Sequence, residues 1–190
     1  MRICIFTITS VTPYSQSKQV DVDQHPKLEK EGADGYDKRL WREKSTYDDN
    51  GIVCIPAMAL KMAVDEAVKR LNIGIPGRGK STYTKFFVAG QICEGDPSLG
   101  IHKDDLEYID IWANADGVRG SGKRVRRRFP IIKSFDATAR FAILDDVIPN
   151  QVFEKAVIEA GRLVGIGRFR PEKGGFLGRF TASNFQWETV

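Results

Sequence analysis

The run from Gly165 to Phe180 brings together residue types that could do chemistry: five glycines, three arginines, one lysine and three phenylalanines. Glycine lets the backbone take φ > 0 or come close to another surface. Arginine and phenylalanine supply charge and flat faces, which suit the phosphates and bases of a nucleic-acid strand. An ordinary glycine-rich turn before an edge strand would have the same composition, so the run needs context. A second basic block, Arg119, Lys123, Arg124, Arg126, Arg127 and Arg128, lies beside Gly117, Gly120 and Gly122. Its bland form is a solvated loop. A glycine-hinged basic hairpin that clamps a phosphate backbone is the functional alternative. The net charge of the 190 residues is only +4, so the clustering of cations, more than their total, points to a polyanionic partner.

Other motifs carry less. Residues 74–81, "GIPGRGKS", match the phosphate-loop pattern G-x-x-x-x-G-K-S. That loop needs a strand before it and a helix after it. Here a helix is expected before it and β-formers follow, and Pro76 removes an amide donor. A basic surface loop, with Arg78 and Lys80 touching phosphate, is the expectation. His25 and His102 fall in loops with no partner at helical spacing. The acidic pairs Asp48-Asp49, Asp104-Asp105 and Asp145-Asp146 adjoin strands, where neighbours point to opposite faces. Turn and cap duty is expected of them. No catalytic residue, metal site or cofactor is therefore assigned. Cys4, Cys54 and Cys93 are far apart and read as buried, reduced thiols of a cytoplasmic protein. The first residues lack a charged lead and a long apolar core, so no signal peptide is expected, and no apolar run approaches the length of a membrane span.

The elements that must position these residues follow from hydrophobic period. Arg2 to Ser10 reads as a central strand with both faces at least partly buried. Residues 11–51 turn polar and read as a long N-terminal insertion, partly mobile, anchored by Tyr36, Leu40, Trp41 and Tyr47. Ile52 to Ile55 is a short strand. Pro56 opens a helix to about Asn72, with Leu60, Val64, Ala67, Val68 and Leu71 as its apolar stripe. Asp65 to Lys69 and Glu66 to Arg70 are expected ion pairs on its wet side. Strands are expected at Lys85 to Cys93, Leu106 to Asn114, Phe129 to Lys133 and Thr138 to Leu144, with a basic hairpin over 115–134. Asn150 is the expected N-cap of a second helix striped by Phe153, Ala156, Val157, Ala160 and Val164. The glycine-rich C-terminal loop, 165–180, leads to a last strand near Phe180 to Trp187. The expected fold is α+β: a ferredoxin-like (RRM-type) antiparallel sheet with two helices, in one domain over 1–190, leaving one sheet face free.

Three segments resemble the repeat-associated (RAMP) superfamily, the ferredoxin-like backbone and processing proteins of CRISPR surveillance complexes. Residues 3–13, "ICIFTITSVTP", resemble its first strand and turn. Residues 55–61, "IPAMALK", resemble its entry to the first helix. Residues 165–169 and 174–180 resemble its glycine-rich C-terminal loop. The resemblance implies a small, diverged backbone subunit, of phage or host origin, with Lys61 at the helix start and the 165–178 loop near the nucleic-acid backbone, and the basic hairpin as a thumb. It also implies copies stacked along a strand and CRISPR complex subunits as partners.

The function expected from all this is binding of single-stranded RNA or DNA with little sequence specificity, in homo-oligomers. Its residues would be Lys61; Arg119, Lys123, Arg124, Arg126, Arg127 and Arg128 of the finger; and Gly165, Gly167, Arg168, Phe169, Arg170, Lys173, Gly175, Phe176 and Arg179 of the loop. Phe169, Phe176 and Phe180 are the candidate base-stacking rings, with core packing as the alternative for each. A metal-independent endoribonuclease using His25 or His102, and a non-enzymatic mimic or inhibitor of a CRISPR complex, are the other two readings.

Overall fold

The computed structural model describes residues 1–114, 122 and 124–190, an α+β chain with antiparallel sheets. Arg119 and Lys123 lie outside the described residues. In chain order the elements are β1 (Arg2–Ser10), β2 (Tyr14–Ser15), α1 (Ala33–Leu40), β3 (Ile52–Cys54), α2 (Ala57–Leu71), α3 (Thr84–Gly90), β4 (Gln91–Cys93), β5 (Ser98–His102), β6 (Glu107–Asn114), β7 (Arg124–Ile132), β8 (Asp136–Ile143), α4 (Asn150–Glu159) and β9 (Phe180–Thr189).

The main sheet has the strand order β4-β8-β1-β9, every pair antiparallel. Cys4, Phe6 and Ile8 of β1 point to the side where α2 and α4 pack, and are fully buried. Ile5 and Thr7, on the opposite side, are half-buried. Phe6 meets Phe141, Phe153 and Phe185, and Phe153 also meets Phe87 and Trp187, so aromatic rings form the centre of the core. The expected α2 stripe is the buried one, and the Ala57 amide at its N-terminus donates to Asp96 Oδ1 at 2.7 Å. Asp65 pairs with Lys61 instead of Lys69, while Glu66 takes both Lys69 and Arg70.

Four expectations are corrected. Residues 84–90 are helical, not the first part of a strand; only Gln91–Cys93 is extended. The β-forming residues Thr84, Phe86 and Val88 yield to packing, because Tyr83, Phe87 and Gly90 at helical spacing are the buried face. Asn150 lies inside α4 and Pro149 is its N-cap; the Asn150 side chain accepts from Arg2 instead. Arg124 to Arg128 of the basic finger and the strand expected at Phe129 to Lys133 form one element, β7, in the separate sheet β2-β7-β6. The insertion, read as loop, carries β2, α1 and a 3-10 turn at Trp41–Lys44, with Leu40 and Trp41 buried. Strand β5, which pairs with β3, was not anticipated.

The side of the main sheet away from the helices carries Ile5, Thr7, Thr138, Arg140, Gln186 and Glu188, by the pairing of β1 with β8 and β9. Arg140 is held by Glu94 at 2.7 Å and Glu188 at 3.4 Å. These residues offer no ring and no spare cation, so the surface where an RRM-type module would receive bases lacks the chemistry to do so. Among the described residues no helix is long and apolar enough to cross a membrane.

Candidate nucleic-acid interface

The two basic clusters, far apart in sequence, meet at Phe129. Residues 11–15 hold the glycine-rich loop in place. The Arg168 amide donates to the Ser15 carbonyl at 2.8 Å, Gly178 to the Pro13 carbonyl at 2.8 Å, and Val11 to the Arg179 carbonyl at 2.8 Å. Because β2 also pairs with β7 at Ile131 and Ile132, the loop is docked beside the root of the hairpin. A π turn at Ala160–Val164 ends α4 and delivers the chain to Gly165.

The close approach that glycine permits here is to the chain itself. Gly167 has φ +74°, and a Cβ on it would overlap the Ser15 carbonyl and the Tyr14 ring. Gly175 lies against the Phe169 carbonyl. Gly165, Gly167 and Gly175 therefore set the loop's shape, and the side chains between them form its surface.

Arg168 carries the site. Its guanidinium lies 3.8 Å from the centre of the Phe129 ring and 4.6 Å from that of Phe169. Its Nε is buried without a hydrogen-bond partner. Lys44 Nζ lies over the same Phe129 ring at 4.3 Å, and Arg127 Nη1 is 3.5 Å from Asp37 Oδ1. One buried carboxylate, Asp37, thus faces Lys44, Arg127 and, at longer range, Arg168. Burial, and then the Arg127 charge, lower the Arg168 pKa; burial lowers that of Lys44 despite its pairing with Asp37. A half-buried guanidinium over flat rings, with one donor unpartnered, is a site that an anion would stabilise.

The other cations of the expected site are placed differently. Arg170 and Lys173 both pair with Glu172, at 2.8 and 2.7 Å. Arg179 binds the Arg162 carbonyl. Lys61 is tied to Asp65 and to the Val88 carbonyl, so the start of α2 presents no free ammonium. Arg126 and Arg128 share Asp110 at 3.0 and 2.9 Å, and Arg124 is exposed at the outer end of β7. Phe176 is 67 % exposed and Phe169 37 %, whereas Phe180 is a core residue.

The fold is similar to that of a chain in a solved RNA-bound complex. In the cryo-EM structure of the type III-B Cmr-beta bound to cognate target RNA, one chain matches with a TM-score of 0.51 and 13 % identity, over 98 % of this chain and 60 % of that one. A chain of a CRISPR RNA-guided surveillance complex matches with a TM-score of 0.40 and 16 % identity, over 96 % of this chain and 66 % of that one. The present chain thus spans less than two thirds of either. No family model and no curated protein sequence matches it.

Residues that sequence reasoning missed are Asp37 and Lys44, which the polar insertion hid, and Tyr108 and Trp112. The alternation Tyr108-Ile109-Asp110-Ile111-Trp112 signals a strand with an aromatic and charged outer face. The endoribonuclease candidates lie elsewhere. His102 Nδ1 accepts the Asp104 amide. His25 Nε2 is 3.8 Å from Glu43 Oε2, a carboxylate already bound by Tyr47 and facing Lys103. The 74–81 segment is a turn closed by the Ile75 amide on the Ser81 carbonyl; the helix before it is not the strand a phosphate loop requires.

Proposed function

We propose that this chain binds single-stranded RNA through its phosphate backbone, as a small RAMP-like subunit of a CRISPR-type assembly. The observation that carries the proposal is Arg168: a cation between two phenylalanine rings, with a buried Nε lacking a partner, beside Lys44 and Arg127, which share one carboxylate. A phosphate supplies a counter-charge and an acceptor for Arg168. The main sheet supports a ferredoxin-like plan, since β1, α2, β4, β8, α4 and β9 follow the strand-helix-strand-strand-helix-strand order. The choice of RNA follows the likeness to a chain from an RNA-bound complex. One domain over 1–190 and stacking of copies along the strand are part of the same reading, and rest on the three resembling segments.

Salt titration of binding to single-stranded RNA, single-stranded DNA and duplex tests it. Affinity for single strands should fall steeply as salt rises, with RNA preferred, and Arg168→Ala should weaken it. Equal binding to all three at moderate salt, or none, rejects the proposal.

A further inference from the structure

We propose that the outer face of the β6–β7 hairpin is a nucleobase-stacking platform whose open ring is Trp112. This rests on the nucleic-acid reading above and adds a requirement for unpaired bases. Alternation along β6 puts Tyr108, Asp110 and Trp112 on one face, and the register places Arg128 opposite Asp110 and Arg126 opposite Trp112. Asp110 grips both arginines: Arg128 by two hydrogen bonds of 2.9 and 3.1 Å, Arg126 at 3.0 Å. The Arg128 guanidinium is stacked 3.6 Å from the centre of the Tyr108 ring. The face is therefore a pre-ordered lattice of rings and guanidinium planes.

Within it Trp112 is left open. It is 64 % exposed, whereas Trp41 is buried against Tyr108 and the Trp187 indole donates to Glu154 at 2.7 Å. Lone exposed apolar residues are common on surfaces. This one differs because a charged face surrounds it and a fixed arginine stands across the strand from it. An aromatic ring flanked by cations binds bases by stacking while the cations neutralise the phosphates on either side. Tyr108 has its ring face occupied by Arg128, which leaves the Trp112 indole to receive the base.

The test compares a base-bearing oligouridylate with an abasic sugar-phosphate oligomer of the same length and charge. The oligouridylate should quench tryptophan emission, and the abasic chain should not. Trp112→Ala should lower affinity for oligouridylate roughly 5- to 150-fold and leave the abasic chain unaffected. Trp112→Phe should keep most of the affinity and lose the quenching. Quenching that persists in Trp112→Phe, or equal effects of Trp112→Ala on both ligands, overturns the platform. If Trp112→Ala changes neither affinity while Arg168→Ala weakens both, only the platform fails and the phosphate site stands. If neither oligomer binds, both fail. Loss of a co-purifying protein in Trp112→Ala, with oligonucleotide affinity intact, assigns the face to protein docking and overturns the proposal.

Discussion

Lys44 Nζ lies 2.5 Å from Asp37 Oδ1, and together these two buried side chains close the free edge of β7 at Arg128. Asp37 Oδ2 accepts the Arg128 amide at 2.6 Å, and Lys44 donates to the Arg128 carbonyl at 2.6 Å. A helix and a turn from the insertion thus supply the hydrogen bonds a neighbouring strand would make.

That geometry makes the pair unequal. Asp37→Asn keeps an acceptor for the amide but removes the carboxylate that Lys44 holds at 2.5 Å. Loss of the Lys44–Asp37 pair should cost about 3–5 kcal/mol, the range for breaking a buried pair. Lys44→Met should cost less, because Arg127 remains beside Asp37. Urea denaturation of the two variants checks this, and a larger loss in Lys44→Met would contradict it.

Ion pairing inside the loop should decide which cations meet phosphate. Arg168→Ala should reduce the slope of log affinity against log salt by about 0.7 on a single strand. Lys173→Ala should leave that slope nearly unchanged, since Glu172 already neutralises Lys173. Equal slope changes in the two variants would remove the distinction.

Phe169 sits at φ +56°, where a bulky side chain is strained, while its carbonyl accepts the Leu177 amide at 3.0 Å. Phe169→Gly should therefore be more stable than Phe169→Ala by about 1 kcal/mol. Both should bind oligonucleotide more weakly, because Arg168 loses one of its two rings. Thermal melts and binding isotherms on the same samples separate the two effects.

The Arg128 hydrogen bonds hold the Asp110 carboxyl below the usual aspartate range. A depressed carboxylate adds stability above its unfolded value, near 3.9, and that stability is lost as pH falls through the lower folded value. Wild type and Asp110→Asn should therefore differ in stability at neutral pH and converge below about pH 4. Stability curves that stay parallel into acid would exclude the linkage.

The long periodic elements were legible. The β1 alternation and the α2 and α4 stripes could be read because core burial imposes those periods on the sequence. Helix α3 was not, since its β-forming residues are overruled by the burial of Tyr83, Phe87 and Gly90, a tertiary effect. The two basic clusters stood out by composition, but their meeting at Phe129 depends on Ser15 and Pro13 carbonyls, which carry no sequence signal. Composition does not show how the cations are paired: Lys61, Arg170 and Lys173 each meet a carboxylate that spacing alone does not assign to them.

The cover that α1 gives β7 has a consequence for handling the protein. A bare strand edge is a template for pairing with other chains. Trimming residues 20–43 as a dispensable surface segment would remove Asp37, leave the Arg128 amide unpaired and take α1 away from the edge of β7. The shortened chain should precipitate or form intermolecular sheets, so the polar stretch that resembles a linker also guards against aggregation.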